Sequence, residues 1–195
     1  MASNKNLRDV LIVIGLMWSI RLIDTLLPID FNLYGLIPRS WGGLVGIVTM
    51  PFLHQGWGHL VGNTIPLCIL LFLLTSSRED SWEVLSSIVV MGGMMLWCFG
   101  RSAVHVGASG LVYGLVAFLM ASGFLEKNFV SLIIALLVGF LYGTTLLFGV
   151  LPTVGASVSW DGHLFGAIAG GVTAYAMSSF KNGDPAISVP VRETE

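Results

Sequence analysis

The sequence predicts an all-α membrane protein, a bundle of six transmembrane helices. Three observations carry that expectation. Charged residues are scarce: nine Lys and Arg with eleven Asp and Glu make 10% of 195 residues, where soluble domains hold about 25%. Hydrophobic residues make up 55% and 24 glycines are added to them, so a soluble domain of this size would lack the polar surface to cover its core. The apolar residues also fall into six long runs separated by short polar or Pro/Gly/Ser-rich breaks. A net charge of −2 with no basic block excludes a disordered chain and a nucleic-acid binder.

A spanning helix needs about 20 mainly apolar residues, so six leave roughly 75 for termini and loops. No soluble catalytic domain fits there, and any activity must sit within the bundle. Residues 1–8, with Lys5 and Arg8, precede a first run at 9–28. No small-x-small cleavage site follows it, so it reads as a retained span and not a signal peptide. Arg21 and Asp24 lie within it at i,i+3 and can pair on one face. Residues 29–56 are too apolar for a solvated loop and too broken for a span, with Asp30 and Arg39 among Phe31, Trp41 and Phe52. They are expected at the membrane interface, anchored by aromatic side chains. The remaining runs are 57–77, 83–100, 106–125, 129–151 and 160–180, broken at Arg78-Glu79-Asp80, at Glu126-Lys127-Asn128 and from Pro152 to Ser159. From 181 to 195 the chain is a polar tail, expected to be disordered. Cys68 and Cys98 sit far apart in apolar runs without metal-ligand spacing and read as packing residues. Lys5, Arg8, Arg78, Lys127, Lys181 and Arg192 fall on one side of this arrangement, and Arg39 and Arg101 on the other. The positive-inside rule then puts both termini in the cytoplasm.

Polar residues inside a bilayer are costly, so where they cluster is informative. His59 and Asn63 open the second span and share a face at i,i+4. Ser109, in Gly107-Ala108-Ser109-Gly110, opens the fourth, and His163, in Trp160-Asp161-Gly162-His163, opens the sixth. Even-numbered spans run in the same direction, so these clusters lie at one membrane depth whichever way the protein is inserted. Gly162, Gly166 and Gly170 form a smooth stripe on the sixth span, and Gly110 and Gly114 repeat the spacing on the fourth. Small-xxx-small faces let helices approach closely in lipid, and that contact would bring Ser109 beside His163.

These are the parts of a nucleophile and its base. A serine hydroxyl is a weak nucleophile until an adjacent group takes its proton, and histidine titrates in the right range. Asn63, a His59 ring N–H and backbone amides near Ser109 can donate to a developing oxyanion. Asp161 is two residues from His163 and faces elsewhere on a helix, so a Ser–His dyad fits better than a triad. Residue types alone leave His59 and His163 both eligible as base. His54 and His105 read as loop or interface residues without a role.

At this point the sequence resembles the rhomboid family of intramembrane serine proteases, from about residue 50 to 172. His59 and Asn63 fit its His-x-x-x-Asn motif, and Gly107-Ala108-Ser109-Gly110 its Gly-x-Ser-Gly motif. His163, Gly166 and Gly170 fit the last-helix motif His-x-x-Gly-x-x-x-Gly. Tyr113 matches the tyrosine that packs against the base, and His54 a histidine that often precedes the first motif. The resemblance implies Ser109 as nucleophile, His163 as base, and an oxyanion site of His59, Asn63 and the Ser109 amide. It also implies the minimal six-helix prokaryotic form, a membrane-embedded loop at 29–56, and transmembrane helices as substrates. Many members carry a Trp-Arg pair in that loop, whereas here the order is Arg39-Ser40-Trp41.

The expected protein is therefore a multi-pass protease of a prokaryotic cytoplasmic membrane. It acts on transmembrane protein substrates and needs no metal or organic cofactor. The first alternative is a rhomboid-like protein that binds transmembrane clients without cutting them. A metal-dependent protein using His54, His59, His105 and His163 is weaker, because no His-Glu-x-x-His motif is present. A third alternative is a small transporter with the buried polar groups lining its pathway.

Overall fold

The computed structural model describes residues 4–152 and 158–181. Among these, seven helices follow in chain order: α1 Asn4–Leu26, α2 Gly46–Thr49, α3 Trp57–Ser77, α4 Ser81–Phe99, α5 Ser109–Leu125, α6 Phe129–Gly149 and α7 Trp160–Lys181. Six of them are the expected spans, and α2 is a single turn inside the loop between α1 and α3. By length and composition α3, α4 and α6 can each cross a membrane.

The bundle is organised round α5. Its buried residues include Leu111, Val112, Leu115, Phe118 and Leu119, which together leave no polar face. A helix apolar all round must be enclosed by others, and α3, α4, α6 and α7 pack against it. The glycine stripes set the closest of these contacts. A Cβ at Gly166 would run into the Gly110 carbonyl, and one at Gly170 into the Gly114 carbonyl. The backbones of α5 and α7 therefore touch, as the small-xxx-small spacing predicts. By contrast α6 buries only Ala135 and Val138, and lies mainly along α5.

Boundaries differ most from the sequence expectation at two helix starts. Helix α1 begins at Asn4 and not at 9, so Lys5 and Arg8 belong to the helix. Helix α5 begins at Ser109 and not at 106, because the backbone turns sharply at Gly107, whose φ is +115°. The tail expected from 181 onward lies outside the described residues apart from Lys181, which ends α7. Cys68 is half-buried against the core, as expected of a packing residue. Cys98 is exposed instead, on an outer face of α4.

Residues 27–56 fold back on the bundle as short turns. Asp30 caps the turn Phe31–Tyr34 by accepting from the Asn32 amide, and the Arg21–Asp24 pair forms as expected, at 2.5 Å. Asp24 also accepts the Phe31 amide at 2.9 Å, tying the loop to α1. At the other side, Arg39 donates to the carbonyls of Gly100 at 2.8 Å and Cys98 at 3.3 Å, and to Ser102 Oγ at 3.2 Å. A cation is favourable at the negative end of a helix, so Arg39 clamps the loop to the C-terminus of α4. Trp97 adds an indole N–H bond to the Ser40 carbonyl at 2.8 Å.

At the opposite end of the bundle, two loops that are separate in sequence meet. Arg78 reaches Asp80 with paired bonds of 2.7 Å, and it also bonds Glu126. Asp80 first, and then Glu126, raise the Arg78 guanidinium above its ordinary value and hold it charged. Nearby, Asn128 caps α6 by accepting the Val130 amide at 2.8 Å. Asn128→Ala is expected to lower stability by about 1 kcal/mol, read as a reduced unfolding midpoint in detergent with activity per folded molecule unchanged.

Candidate active site

Three helices begin at the end of the bundle marked by Arg39 and Arg101, and each brings polar side chains to one cavity. Its volume is about 360 Å³, and its walls include His59, Asn63, Ser109, His163, His105 and Ser159. The expected nucleophile, both histidines and the asparagine are thus brought together.

His59 stands in the first turn of α3, with Asn63 one turn later and buried. Asn63 Nδ2 donates to the His59 carbonyl at 3.2 Å, which orients the amide. Gly107 faces both. A Cβ there would lie 2.5 Å from His59 Cε1, 2.6 Å from its Nε2 and 3.6 Å from Asn63 Nδ2. Only glycine combines this approach with a positive φ, and the Gly107 amide is held by the Met50 carbonyl at 2.9 Å. Two residues on, Ser109 is the first residue of α5, so its amide has no intrahelical acceptor. Its side chain is partly exposed to the cavity.

His163 is held from two directions. Its ring stacks on Tyr113 at 4.1 Å between centroids and 5° between planes. Its Nδ1 lies 2.9 Å from the Gly149 carbonyl. A carbonyl oxygen can only accept, so Nδ1 carries the hydrogen, and in the neutral ring Nε2 is the nitrogen with the lone pair. Tyr113 is fixed in turn by its hydroxyl, which donates to the Thr145 carbonyl at 3.0 Å. Helices α5, α6 and α7 together thus set the plane and tautomer of one imidazole. Among the described residues, Ser109 Oγ and His163 Nε2 form no hydrogen bond in this resting arrangement; such bonds often tighten only when substrate binds.

Residues 41–180 match the family model of the Rhomboid domain. The chain belongs to the rhomboid family. Uncharacterized proteins of Mycobacterium bovis and Mycobacterium tuberculosis are each 37% identical to it over 179 residues, covering 87% of this chain and 74% of theirs. An uncharacterized protein of Mycobacterium leprae is also 37% identical, with 70% of its length covered. The chain is accordingly an integral membrane protein with a rhomboid helical bundle.

Sequence reasoning missed part of this rhomboid's cavity wall. His105, expected to be a loop or interface residue without a role, is 2% exposed and lines the cavity. It lies in a cluster with Arg101, Ser159 and Asp161. Asp161 forms no hydrogen bond with His163 and instead accepts the Arg101 amide at 2.8 Å and its guanidinium at 3.3 Å. His54 is also buried, at 3% exposure, with its ring 5.1 Å from that of His59. The available signal was that a histidine within so apolar a chain is costly unless it finds partners, but no spacing linked His105 to Ser159, 54 residues away. Among the described residues, no group of three His, Cys, Asp or Glu side chains comes together to hold a metal.

Proposed function

We propose that this rhomboid is an intramembrane serine endopeptidase that cleaves peptide bonds in or near substrate transmembrane segments. The observation that carries the reading is the His163 ring: fixed by Gly149 and Tyr113, it presents an unprotonated Nε2 on the cavity that Ser109 lines. As the Ser109 oxygen attacks the substrate carbonyl carbon, its proton passes to His163 Nε2. The carbonyl oxygen becomes an oxyanion that accepts from the Ser109 amide, Asn63 and the His59 ring. Collapse breaks the C–N bond, and the amine leaves with the proton held by His163. Water then attacks the acyl-enzyme as His163 takes its proton, and collapse breaks the ester C–O bond, returning that proton to the Ser109 oxygen and releasing the carboxylic acid product.

Water and substrate must both reach Ser109. The 17 residues of α5 span about 26 Å at 1.5 Å per residue, less than a hydrocarbon core of about 30 Å. A nucleophile at the start of so short a helix would lie below the membrane surface, and the cavity that Ser109 lines would admit water to it. A substrate helix must unwind locally, because its hydrogen-bonded carbonyls are closed to attack. Lys5, Arg8, Arg78 and Lys127 gather at the opposite end from the cavity, which favours cytoplasmic termini.

Reconstituting the protein in liposomes with a transmembrane peptide bearing terminal tags tests the reading. The wild type is expected to yield two fragments and Ser109→Ala none. An intact peptide that nevertheless binds the wild type would favour the client-binding alternative.

A further inference from the structure

The nucleophile and its base stand on segments far apart in sequence: the loop 100–108 leading into Ser109, and residues 158–163 leading to His163. The glycine seam between α5 and α7 brings the two helices close, but a smooth stripe fixes distance without fixing how far one helix slides along the other. The Tyr113–His163 stack joins the helices one turn into α5, and His105 joins the two segments that lead into them.

His105 Nε2 lies 3.1 Å from the Arg101 carbonyl, which only accepts, so Nε2 carries the hydrogen. In the neutral ring Nδ1 is then an acceptor, and it takes the Ser159 hydroxyl hydrogen at 2.7 Å, the shorter of that hydroxyl's two contacts with an acceptor, the other being Asp161 Oδ1 at 3.3 Å. Ser159 Oγ in turn accepts the Gly162 amide at 3.3 Å, and the Ser159 carbonyl accepts the His163 amide at 3.0 Å. The base is thus one backbone bond away from the residue that His105 grips. On its other side, His105 pairs through its backbone with Leu36 in both directions, at 2.8 and 3.0 Å. Both the ring and the backbone are buried, and in such surroundings a hydrogen bond resists exchange with water. Arg101 and Asp161 add a parallel ion pair between the same two segments, at 3.3 Å.

We propose that His105 is a positioning residue, which through the Ser159 hydroxyl sets the register of His163 against Ser109. The inference rests on the protease reading above and goes beyond it by assigning the alignment of the dyad to a buried side chain that takes no part in proton transfer. Asn and Gln separate the two ring nitrogens chemically. The Asn carbonyl oxygen occupies the place of Nδ1 and can accept from Ser159, whereas the Gln amide reaches towards Arg101 in place of Nε2.

The test is the rate at which a fluorophosphonate labels Ser109 in the purified full chain, with unfolding temperature measured alongside. His105→Ala is expected to slow labelling by about 10- to 100-fold, the scale of a displacement near 1 Å at a reacting centre. His105→Asn should recover most of that rate and His105→Gln little of it. Ser159→Ala should lose as much as His105→Ala, and the double variant no more than either. Wild-type labelling in a folded His105→Ala, additive losses in the double variant, or Asn no faster than Gln would each overturn the assignment. The last comparison stands even where the Ala variant does not fold. Failure of the wild type to label would remove the protease reading and this inference with it; normal wild-type labelling with unaffected variants removes this inference alone.

Discussion

His163→Ala is expected to lower the rate of peptide cleavage by on the order of 10⁴-fold or more, while His59→Ala leaves a measurable residue of activity. On the proposed reading this substitution removes the acceptor of the Ser109 proton, and members of such a pair act as a unit. The two histidines differ in how they are held. His163 is locked by a carbonyl on Nδ1 and a stacked tyrosine, which defines a free Nε2. The His59 ring faces Gly107, and its backbone carbonyl accepts from Asn63 one turn later. Losing one oxyanion donor costs about 10²- to 10³-fold. Initial rates on a fluorogenic transmembrane peptide, with folding checked by unfolding temperature, give the ranking. The reverse order would make His59 the base.

The second large effect is on the helix seam. Gly170→Ala places a methyl group against the Gly114 carbonyl, and that backbone cannot swing aside as a side chain can. Overpacking of this kind costs about 1–3 kcal/mol. The shift it forces between α5 and α7 also moves Ser109 relative to His163, where about 1 Å costs roughly 100-fold in rate. The same change one residue later should behave differently. A Cβ at Gly171 meets nothing within 4 Å, so Gly171→Ala is expected to be neutral or to stabilise by up to about 1 kcal/mol through helix propensity. Unfolding midpoints and cleavage rates of both variants check this. Equal behaviour would mean that the α5–α7 contact is looser than the glycine spacing implies.

The seam was legible in the sequence because its signal is periodic: glycines every fourth residue on two runs that must pack in lipid. The grouping of His59, Asn63, Ser109 and His163 followed from span parity, which depends only on counting crossings. The loop at 27–56 was harder. Its clamp uses Arg39 on carbonyls that α4 exposes only because it ends there, and a free carbonyl leaves no mark on residue type. The ion cluster of Arg78, Asp80 and Glu126 was hidden for a similar reason, since each half reads as an ordinary polar break. His105 was hidden most completely: its partner Ser159 sits in a Ser/Gly-rich stretch where one more serine carries no information.

The most direct measurement of the central claim is to treat the purified protein with a fluorophosphonate and locate the adduct by mass spectrometry. A hydroxyl activated by the imidazole of α7 should carry the adduct on Ser109, with labelling absent from Ser109→Ala and strongly slowed in His163→Ala. Labelling that persists in Ser109→Ala, or proceeds at full rate without the His163 ring, would contradict it.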